Sequence, residues 1–296
     1  MSHSPLRRTL LLAGSAAPLA LALRARAADT HRPPPAADAR FAELERAAGG
    51  RLGVCALDTA NGAMIGHRLG ERFPFCSTFK LMLSAAVLAR SQHDADLLAR
   101  RVRYTARDLV PYSPVTSQHV GDGMPVAALC AATLQYSDNT AANLLLKVLG
   151  GPAAVTAFAR SIDDRLFRLD RWEPELNSAI PGDQRDTTTP EAMARSVRAL
   201  AIDAALQPAP RAQLQDWLRG NTTGDQRIRA GVPAGWQVGD KTGTGSYGTA
   251  NDTGVLWPPA RAPIVLAVYY TREIADAKAN DAIIAAATRV AVDALG

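Results

Sequence analysis

The sequence predicts an α+β fold, in which an antiparallel sheet flanked by terminal helices is interrupted by an inserted all-helical domain. Strand-like segments lie near both ends of the chain, at residues 51–69 and 236–270, whereas residues 77–218 are dominated by helical patterns. A further helical pattern lies outside each group of strands, at residues 41–48 and 275–295. Distant strands that share one sheet, with helices between them in the sequence, are typical of this fold class.

Local patterns locate the individual elements. Arg51–Asp58 alternates like a strand, Asn61-Gly62 predicts a hairpin turn, and Met64–Leu69 is the second strand of that hairpin. Ser77–Arg90 is nearly all apolar after its first turn, which predicts a buried helix. The remaining predictions are strands at Trp236–Gly243, Gly248–Trp257 and Ile264–Tyr270, and helices at Phe41–Ala48, Val126–Tyr136, Thr140–Leu149, Pro190–Ile202, Pro210–Leu218 and Ala275–Leu295.

These elements divide the mature chain into two predicted parts. Residues 28–68 and 220–296 form an α/β domain, and residues 69–219 form a helical domain. A cleft between two such units is a natural place for an active site.

Residues 1–27 have the pattern of an export signal that is cleaved from the mature protein. Arg7 and Arg8 precede an apolar stretch, and Ala25-Arg26-Ala27 offers a small-residue cleavage site. The arginine pair fits twin-arginine export, with general secretory export as the alternative. We therefore expect a periplasmic or secreted protein, in which the proline-rich Thr30–Ala37 is a flexible segment.

The composition argues against several kinds of partner. Removal of the signal lowers the formal charge from +5 to +1, so no nucleic-acid partner is expected. No apolar run reaches the roughly 20 residues that span a bilayer, so no membrane anchor is expected. Cys55, Cys76 and Cys130 form no C-x-x-C motif and the histidines are scattered, so we expect no metal and no other cofactor. A monomer would suffice for the site.

The motif Ser77-Thr78-Phe79-Lys80 puts a hydroxyl and an amine on one face of a helix, because residues i and i+3 are neighbours there. Burial in an apolar helix lowers the pKa of a lysine, and a neutral or proton-sharing Lys80 can activate Ser77 as a nucleophile. The motif alone is weak evidence, since S-x-x-K arises by chance on the order of once per chain of average composition.

Two further motifs have both a chemical and a structural interpretation. In Ser137-Asp138-Asn139, the hydroxyl could relay a proton and the amide could hold a substrate, but these residue types are also favoured as helix N-caps. In Lys241-Thr242-Gly243-Thr244, the cation and hydroxyls could bind a carboxylate, and Gly243 would let a substrate approach. A solvated strand end is the alternative for this second motif.

The stretch Arg171–Asp186 contains two prolines and has no periodicity, which predicts a long ordered loop. Within it, Glu173 could act as a general base for a water molecule that Asn177 holds. The alternative is an acidic surface loop.

Together the four motifs resemble those of class A serine β-lactamases, because S-x-x-K, S-D-N and K-T-G form the known motif set of these enzymes and of penicillin-binding proteins. Their order and intervals also resemble the family's, with 60 residues from Ser77 to Ser137, 96 to Glu173 and 164 to Lys241. The resemblance runs from Phe41 to the C-terminus.

The resemblance implies hydrolysis of β-lactam antibiotics, namely penicillins and cephalosporins, with carbapenems left open. Ser77 would form a covalent acyl-enzyme, and the backbone N–H groups of Ser77 and Thr244 would form the oxyanion hole. Ser137 would protonate the leaving nitrogen, Glu173 would activate the deacylating water, and either Lys80 or Glu173 would be the acylation base. The implied substrate-binding residues are Tyr112, Asn139, Asn177, Arg227, Lys241, Thr242, Gly243 and Thr244.

Three positions depart from the family's common pattern. Many class A enzymes carry an arginine on the strand after K-T-G, where this chain has Ala250, and Arg227 resembles the alternative source of that charge in a carbapenem-hydrolysing branch. In that branch a cysteine two residues after K-T-G is bridged to the one before the nucleophile. Here Cys76 is present, but the partner position is Gly245. The partner position of the family's other common bridge is Ser84, so we expect three free thiols.

Two alternatives share the short motifs. Penicillin-binding transpeptidases and carboxypeptidases acylate but deacylate slowly, because they lack the loop glutamate that Glu173 would provide. A β-lactam sensor domain would stay acylated and would need transmembrane helices and a cytoplasmic partner.

Overall fold

The computed structural model describes residues 35–296. In this range the helices are α1 (Pro35–Ala48), α2 (Phe79–Ser91), α3 (Val126–Gln135), α4 (Asn139–Leu149), α5 (Pro152–Ser161), α6 (Pro190–Ala201), α7 (Pro208–Arg219) and α8 (Asp281–Leu295). The strands are β1 (Arg51–Asp58), β2 (Met64–His67), β3 (Phe73–Pro74), β4 (Arg101–Val102), β5 (Met124–Pro125), β6 (Thr187–Thr188), β7 (Gln237–Thr244), β8 (Ala250–Trp257) and β9 (Ile264–Thr271). The export signal predicted at residues 1–27 lies outside the described residues.

Five strands from the two ends of the chain form one antiparallel sheet in the order β2-β1-β9-β8-β7. β1 pairs with β9 along its whole length, from Arg51 opposite Thr271 to Asp58 opposite Ile264. This sheet, flanked by terminal helices and joined to the helical middle of the chain, confirms the predicted α+β fold class. β7 is an edge strand, so one of its sides is free of strand pairing.

The sheet is buried on both faces because successive side chains of a strand point in opposite directions. On β9, Tyr270 packs into a cluster with Phe41 of α1 and Ile284 of α8, whereas Tyr269 packs into the core that contains Phe79 and Leu145 of the helical layer. One sheet thus supports both the terminal helices and the helix that begins at the nucleophile motif.

Most predicted elements are confirmed within a few residues, and the differences have local causes. α8 begins at Asp281 rather than at residue 275, because the Ala275 carbonyl accepts a hydrogen bond from the Tyr247 amide and keeps this stretch in a loop. The predicted flexible segment at residues 30–37 ends in helix, since α1 begins at Pro35. α5 was not predicted, because the sequence Gly150-Gly151-Pro152 indicates the end of a helix. In the structure Pro152 instead begins α5, since a proline fits the first turn of a helix.

Within residues 35–296 no single helix is both long and apolar enough to cross a bilayer. α4 and α5 together have the length and apolar composition, but they are bent by 71° at their junction. The division of the chain into domains at residues 68 and 219 stays a prediction.

Candidate active site

Ser77 lies in a tight turn that leads into α2. Cys76 adopts a left-handed conformation with φ 48°, and Ser77 follows it with 8% of its surface exposed. The turn is held by Thr78 Oγ1, which donates to the Phe75 carbonyl oxygen at 2.9 Å, and by Asn251 Nδ2, which donates to the same oxygen at 3.1 Å. The hydroxyl therefore has a fixed position at the beginning of a buried helix, where the helix dipole favours negative charge.

Lys80 is fully buried one turn further along and is surrounded by acceptors. Its Nζ lies 3.0 Å from Glu173 Oε1 and donates to Asn139 Oδ1 at 2.6 Å and to the Ser137 carbonyl oxygen at 2.8 Å. Burial lowers the pKa of Lys80, and the Glu173 carboxylate opposes this shift. The amine is thus placed to exchange a proton with its neighbours.

Glu173 connects this lysine to Ser77. Its Oε1 accepts a hydrogen bond from Ser77 Oγ at 3.3 Å, and its Oε2 accepts one from Asn177 Nδ2. Asn143 on α4 fixes the Glu173 backbone, because its Oδ1 accepts from the amide at 3.0 Å and its Nδ2 donates to the carbonyl at 2.9 Å. The sequence did not indicate this role for Asn143, since an amide side chain in a helix has many possible uses.

The loop that carries Glu173 is closed at its base by an ion pair. Arg171 Nε donates to Asp186 Oδ2 at 2.6 Å, and Asp186 Oδ1 accepts from the amides of Asp170 and Arg171. The Asn177 carbonyl accepts a hydrogen bond from the Ser246 amide at 3.0 Å, just beyond β7. The predicted long ordered loop is confirmed, and it is joined to the end of β7.

The Ser137-Asp138-Asn139 motif caps a helix and also contributes a hydroxyl to the site. Asp138 caps α4, because its Oδ1 accepts from the Ala141 amide at 2.8 Å. Ser137 has a φ of 57°, and its Oγ accepts from Lys80 Nζ at 3.3 Å and from Lys241 Nζ at 3.1 Å. This hydroxyl therefore links the two buried amines of the cleft.

The strand wall is the edge strand β7. Lys241 is fully buried there, and its Nζ also donates to the Thr242 carbonyl oxygen at 2.7 Å. Burial and the neighbouring charge of Lys80 hold the pKa of Lys241 well below its ordinary value. A Cβ on Gly243 would lie 2.6 Å from the Phe75 carbonyl oxygen, so this glycine lets β7 approach the nucleophile turn. That packing requirement was not visible in the sequence.

Arg227 places its guanidinium at the end of β7. It donates to Thr244 Oγ1 at 2.7 Å and to the Gly243 carbonyl oxygen at 2.8 Å, and its Nε pairs with Asp281 at 2.9 Å. Ala250 lies opposite Thr244 on β8 and is fully buried. The charge that an arginine at position 250 would supply is thus supplied from position 227.

These groups surround a cavity of about 410 Å³. Lys80, Glu173 and Lys241 are buried beneath its surface. Thr223 is the lining residue that the sequence did not indicate, and its Oγ1 contacts Thr242 Oγ1. The cavity is lined by Ser77, Tyr112, Ser137, Asn139, Asn177, Thr223, Arg227, Thr242, Gly243 and Thr244.

Three larger cavities, of about 710, 670 and 600 Å³, lie elsewhere on the surface of the described residues and are lined by none of the predicted site residues. The 410 Å³ cavity is therefore identified by its chemistry rather than by its volume. It combines a hydroxyl, a buried amine–carboxylate pair and a second hydroxyl, which is the set of groups that nucleophilic acyl transfer requires.

The cysteines and possible metal ligands are also defined in this range. Cys55, Cys76 and Cys130 are buried and unpaired, in agreement with the predicted free thiols. A Cβ on Gly245 would lie 2.7 Å from Cys76 Sγ. Among residues 35–296 no cluster of three His, Cys, Asp or Glu side chains could hold a metal ion.

Comparison with known proteins identifies the family. Residues 36–295 match the model of the β-lactamase enzyme family. A carbapenem-hydrolysing β-lactamase KPC from Klebsiella oxytoca is 59% identical over 257 residues, which cover 86% of this chain and 88% of the relative. A β-lactamase structure from Desulfarculus baarsii superposes with a TM-score of 0.87 at 58% identity, covering 88% of this chain and 97% of that one.

A solved ancestral class A β-lactamase superposes with a TM-score of 0.85 at 62% identity, covering 87% of this chain and 99% of that chain. Family model, relatives and structures agree with the motifs and with the chemistry of the cavity. The chain belongs to the class A β-lactamases and is a serine β-lactamase hydrolase.

Proposed function

We propose that this enzyme hydrolyses penicillins and cephalosporins through an acyl-enzyme on Ser77, which water cleaves with Glu173 as its base. The observation that carries the proposal is the position of Glu173 Oε1, which lies 3.3 Å from Ser77 Oγ and 3.0 Å from Lys80 Nζ. A carboxylate in contact with both a nucleophile and a buried amine can serve both halves of the reaction.

In acylation, Ser77 Oγ attacks the β-lactam carbonyl carbon and loses its proton to Lys80 or to Glu173. The negative charge that develops on the carbonyl oxygen is stabilised by the backbone N–H groups of Ser77 and Thr244. The C–N bond then breaks, and Ser137 gives its proton to the nitrogen. Ser137 is reprotonated from Lys80, whose Nζ lies 3.3 Å from its Oγ.

In deacylation, Glu173 takes a proton from a water molecule that Asn177 helps to hold. The resulting hydroxide attacks the ester carbonyl, the bond to Ser77 Oγ breaks, and Glu173 returns its proton to Ser77 Oγ, which restores the carboxylate and the hydroxyl. The Asn177 contact to Glu173 Oε2 leaves Oε1 facing Ser77, which supports this assignment of the base.

The substrate's carboxylate is bound by Thr242, Thr244 and Arg227, with Lys241 behind them. These side chains converge on one end of the cavity, and charge-assisted hydrogen bonds to a carboxylate are among the strongest in proteins. Asn139 and Tyr112 flank the acylamide side of the substrate.

The proposed enzyme acts as a monomer in the periplasm or outside the cell, because residues 1–27 have the pattern of an export signal and one chain supplies the whole cavity. A carbapenem belongs in the substrate panel. The relative at 59% identity is named as carbapenem-hydrolysing, and Arg227 lies beside Thr244, but Cys76 is unbridged.

The test is turnover of a chromogenic cephalosporin by the mature enzyme, compared with Glu173→Gln and Glu175→Gln. Glu175 is exposed in the same loop and is the matched control. We expect many turnovers by the wild type and the control, and one product per enzyme by Glu173→Gln, with the substrate's mass retained on Ser77. A wild type that stalls after one product, or a Glu173→Gln variant with unchanged turnover, would contradict the proposal.

A further inference from the structure

Two carboxyl groups lie buried behind the strand wall and take no part in the mechanism above. Asp240 on β7 and Asp252 on β8 are both fully buried. Asp240 lies opposite Gly254, and Asp252 lies opposite Thr242, so the two aspartates are diagonal neighbours on one face of the sheet. Two adjacent buried charges of the same sign are very unfavourable.

The hydrogen bonds of the two carboxyl groups are unequal. Asp240 accepts from Arg229 Nε at 2.8 Å and from Asn221 Nδ2 at 2.6 Å, as a carboxylate does. Asp252 Oδ2 accepts from the Ile228 amide at 3.1 Å, whereas its buried Oδ1 receives no hydrogen bond from any donor in residues 35–296. Its diagonal neighbour on this face of the sheet is Asp240, which is also fully buried. Two ionised carboxylates buried side by side repel each other strongly, whereas a proton on one of them lets it donate to the other, so we infer that one of them carries a proton.

The surrounding charges indicate which one does. Asp240 is paired with Arg229, whereas Asp252 has no cation at ion-pair distance among the described residues. Burial raises the pKa of Asp252 well above its ordinary value, Asp240 adds to this shift, and Arg227 opposes it. Lys241 is the other charged group close to both carboxyls. Asp252 is thus the acid of the pair and Asp240 the carboxylate.

The pair holds a segment that reaches the active site. Asn221 and Arg229 bind Asp240 at either end of this segment, and the amide of Ile228 binds Asp252 between them. A Cβ on Gly224 would lie 2.0 Å from Asp240 Oδ2, so the segment backbone approaches the carboxylate closely. The same segment carries Arg227, which lines the cavity.

We propose that Asp240 and Asp252 form a carboxylate–carboxylic acid pair, with the proton on Asp252, that fixes the segment 221–229 and thereby positions Arg227 for the substrate's carboxylate. Both aspartates are positioning residues, since neither touches the cavity. The effect on substrate binding rests on the proposed function, whereas the proton on Asp252 can be tested independently.

The experiment compares two isosteric variants. In Asp252→Asn, the amide N–H₂ can donate to Asp240 while its oxygen accepts from Ile228, so the neutral acid is replaced by a neutral group with the same bonds. In Asp240→Asn, the partner of Arg229 loses its charge. We expect Asp252→Asn to keep the wild-type Tm and to keep KM within about twofold, and Asp240→Asn to lower Tm and raise KM for a carboxylate substrate about tenfold.

A neutral ester of the same substrate separates positioning from general damage. It has no carboxylate for Arg227 to bind, so Asp240→Asn should leave its KM and kcat close to those of the wild type. Equal damage by Asp240→Asn and Asp252→Asn, or wild-type behaviour of both variants, would overturn the proposal.

Infrared spectroscopy at neutral pH tests the proton directly, even in a variant with altered activity. The wild type should show the carbonyl stretch of a protonated carboxyl group, which Asp252→Asn should lose and the exposed-site control Asp216→Asn should keep. The absence of any difference between the wild type and Asp252→Asn would refute the proton assignment. If the wild type hydrolysed no β-lactam, the proposed function would fail, while the infrared and Tm results would still decide this inference.

Discussion

Two lysines are fully buried on either side of Ser137, and their surroundings differ. Lys80 has the Glu173 carboxylate at 3.0 Å from its Nζ. Within the described part of the chain, Lys241 has no carboxylate at ion-pair distance, and its Nζ donates to the Ser137 hydroxyl and to the Thr242 carbonyl oxygen. Lys80 and Glu173, which form the floor of the cavity, therefore balance each other's charge. The charge of Lys241 on the strand wall is not balanced in this way.

The difference shows how one residue type serves two purposes. A buried cation without a counter-ion is costly, so the strand wall is stabilised when an anion binds. Lys80 and Glu173 need no outside charge, because each is the other's counter-ion.

The largest effect is expected at the floor. Lys80→Ala removes the amine beside Ser77 and leaves Glu173 buried without its partner, so we expect kcat/KM to fall on the order of 10³-fold, within the range of acid–base contributions. The measurement is the single-turnover acylation rate. Lys147→Ala, which removes a surface lysine, is the control. A loss below about tenfold would show that Lys80 does not carry this chemistry.

A smaller effect is expected at the strand wall. Arg227→Ala removes the guanidinium beside Thr244, and we expect KM for anionic β-lactams to rise about tenfold while kcat changes less. Steady-state kinetics measure this split, with the surface variant Arg195→Ala as control. An unchanged KM would assign the substrate's carboxylate to other groups.

The pH dependence of KM tests the unbalanced lysine. The pKa of Lys241 lies well below 10.5, so its charge is lost before that pH, and KM for a carboxylate substrate should rise as pH increases through the lowered pKa. In Lys241→Arg the charge persists, and KM should stay constant. The lowered folded-state pKa also means that stability increases with pH in this window, because the unfolded chain still binds the proton. A flat wild-type KM up to pH 10.5 would contradict the prediction.

The smallest effect on activity is expected at Gly245, which follows β7 and lies beside Cys76. Gly245→Cys would place a second sulfur beside Cys76, because a Cβ at position 245 lies 2.7 Å from its Sγ. A thiol reagent under denaturing, non-reducing conditions should titrate three thiols in the wild type, two in Gly245→Cys and three in the matched Gly245→Ser. Four thiols in Gly245→Cys would show that the two regions do not approach as the structure indicates.

Much of the site could be predicted because its motifs are local. Ser77 and Lys80 share a helix face through helical periodicity alone, and Asp138 caps a helix as its residue type suggests. Asn143 and Asn251 were not predicted, because an amide has a specific role only once its partners are known. Those partners, the Glu173 backbone and the Phe75 carbonyl, come from distant segments.

The sequence by itself determined the α+β class, most of the helices and strands, the nucleophile motif and the family. These follow from periodicity, caps and short motifs, which depend on neighbouring residues. Only the tertiary structure decided that Glu173 contacts both Ser77 and Lys80, that Lys241 has no carboxylate partner within residues 35–296, and that Asp240 and Asp252 are both fully buried. These contacts arise where the edge strand β7 and the long loop pack against α2, and the energy of a buried charge depends on what that packing brings within a few ångströms.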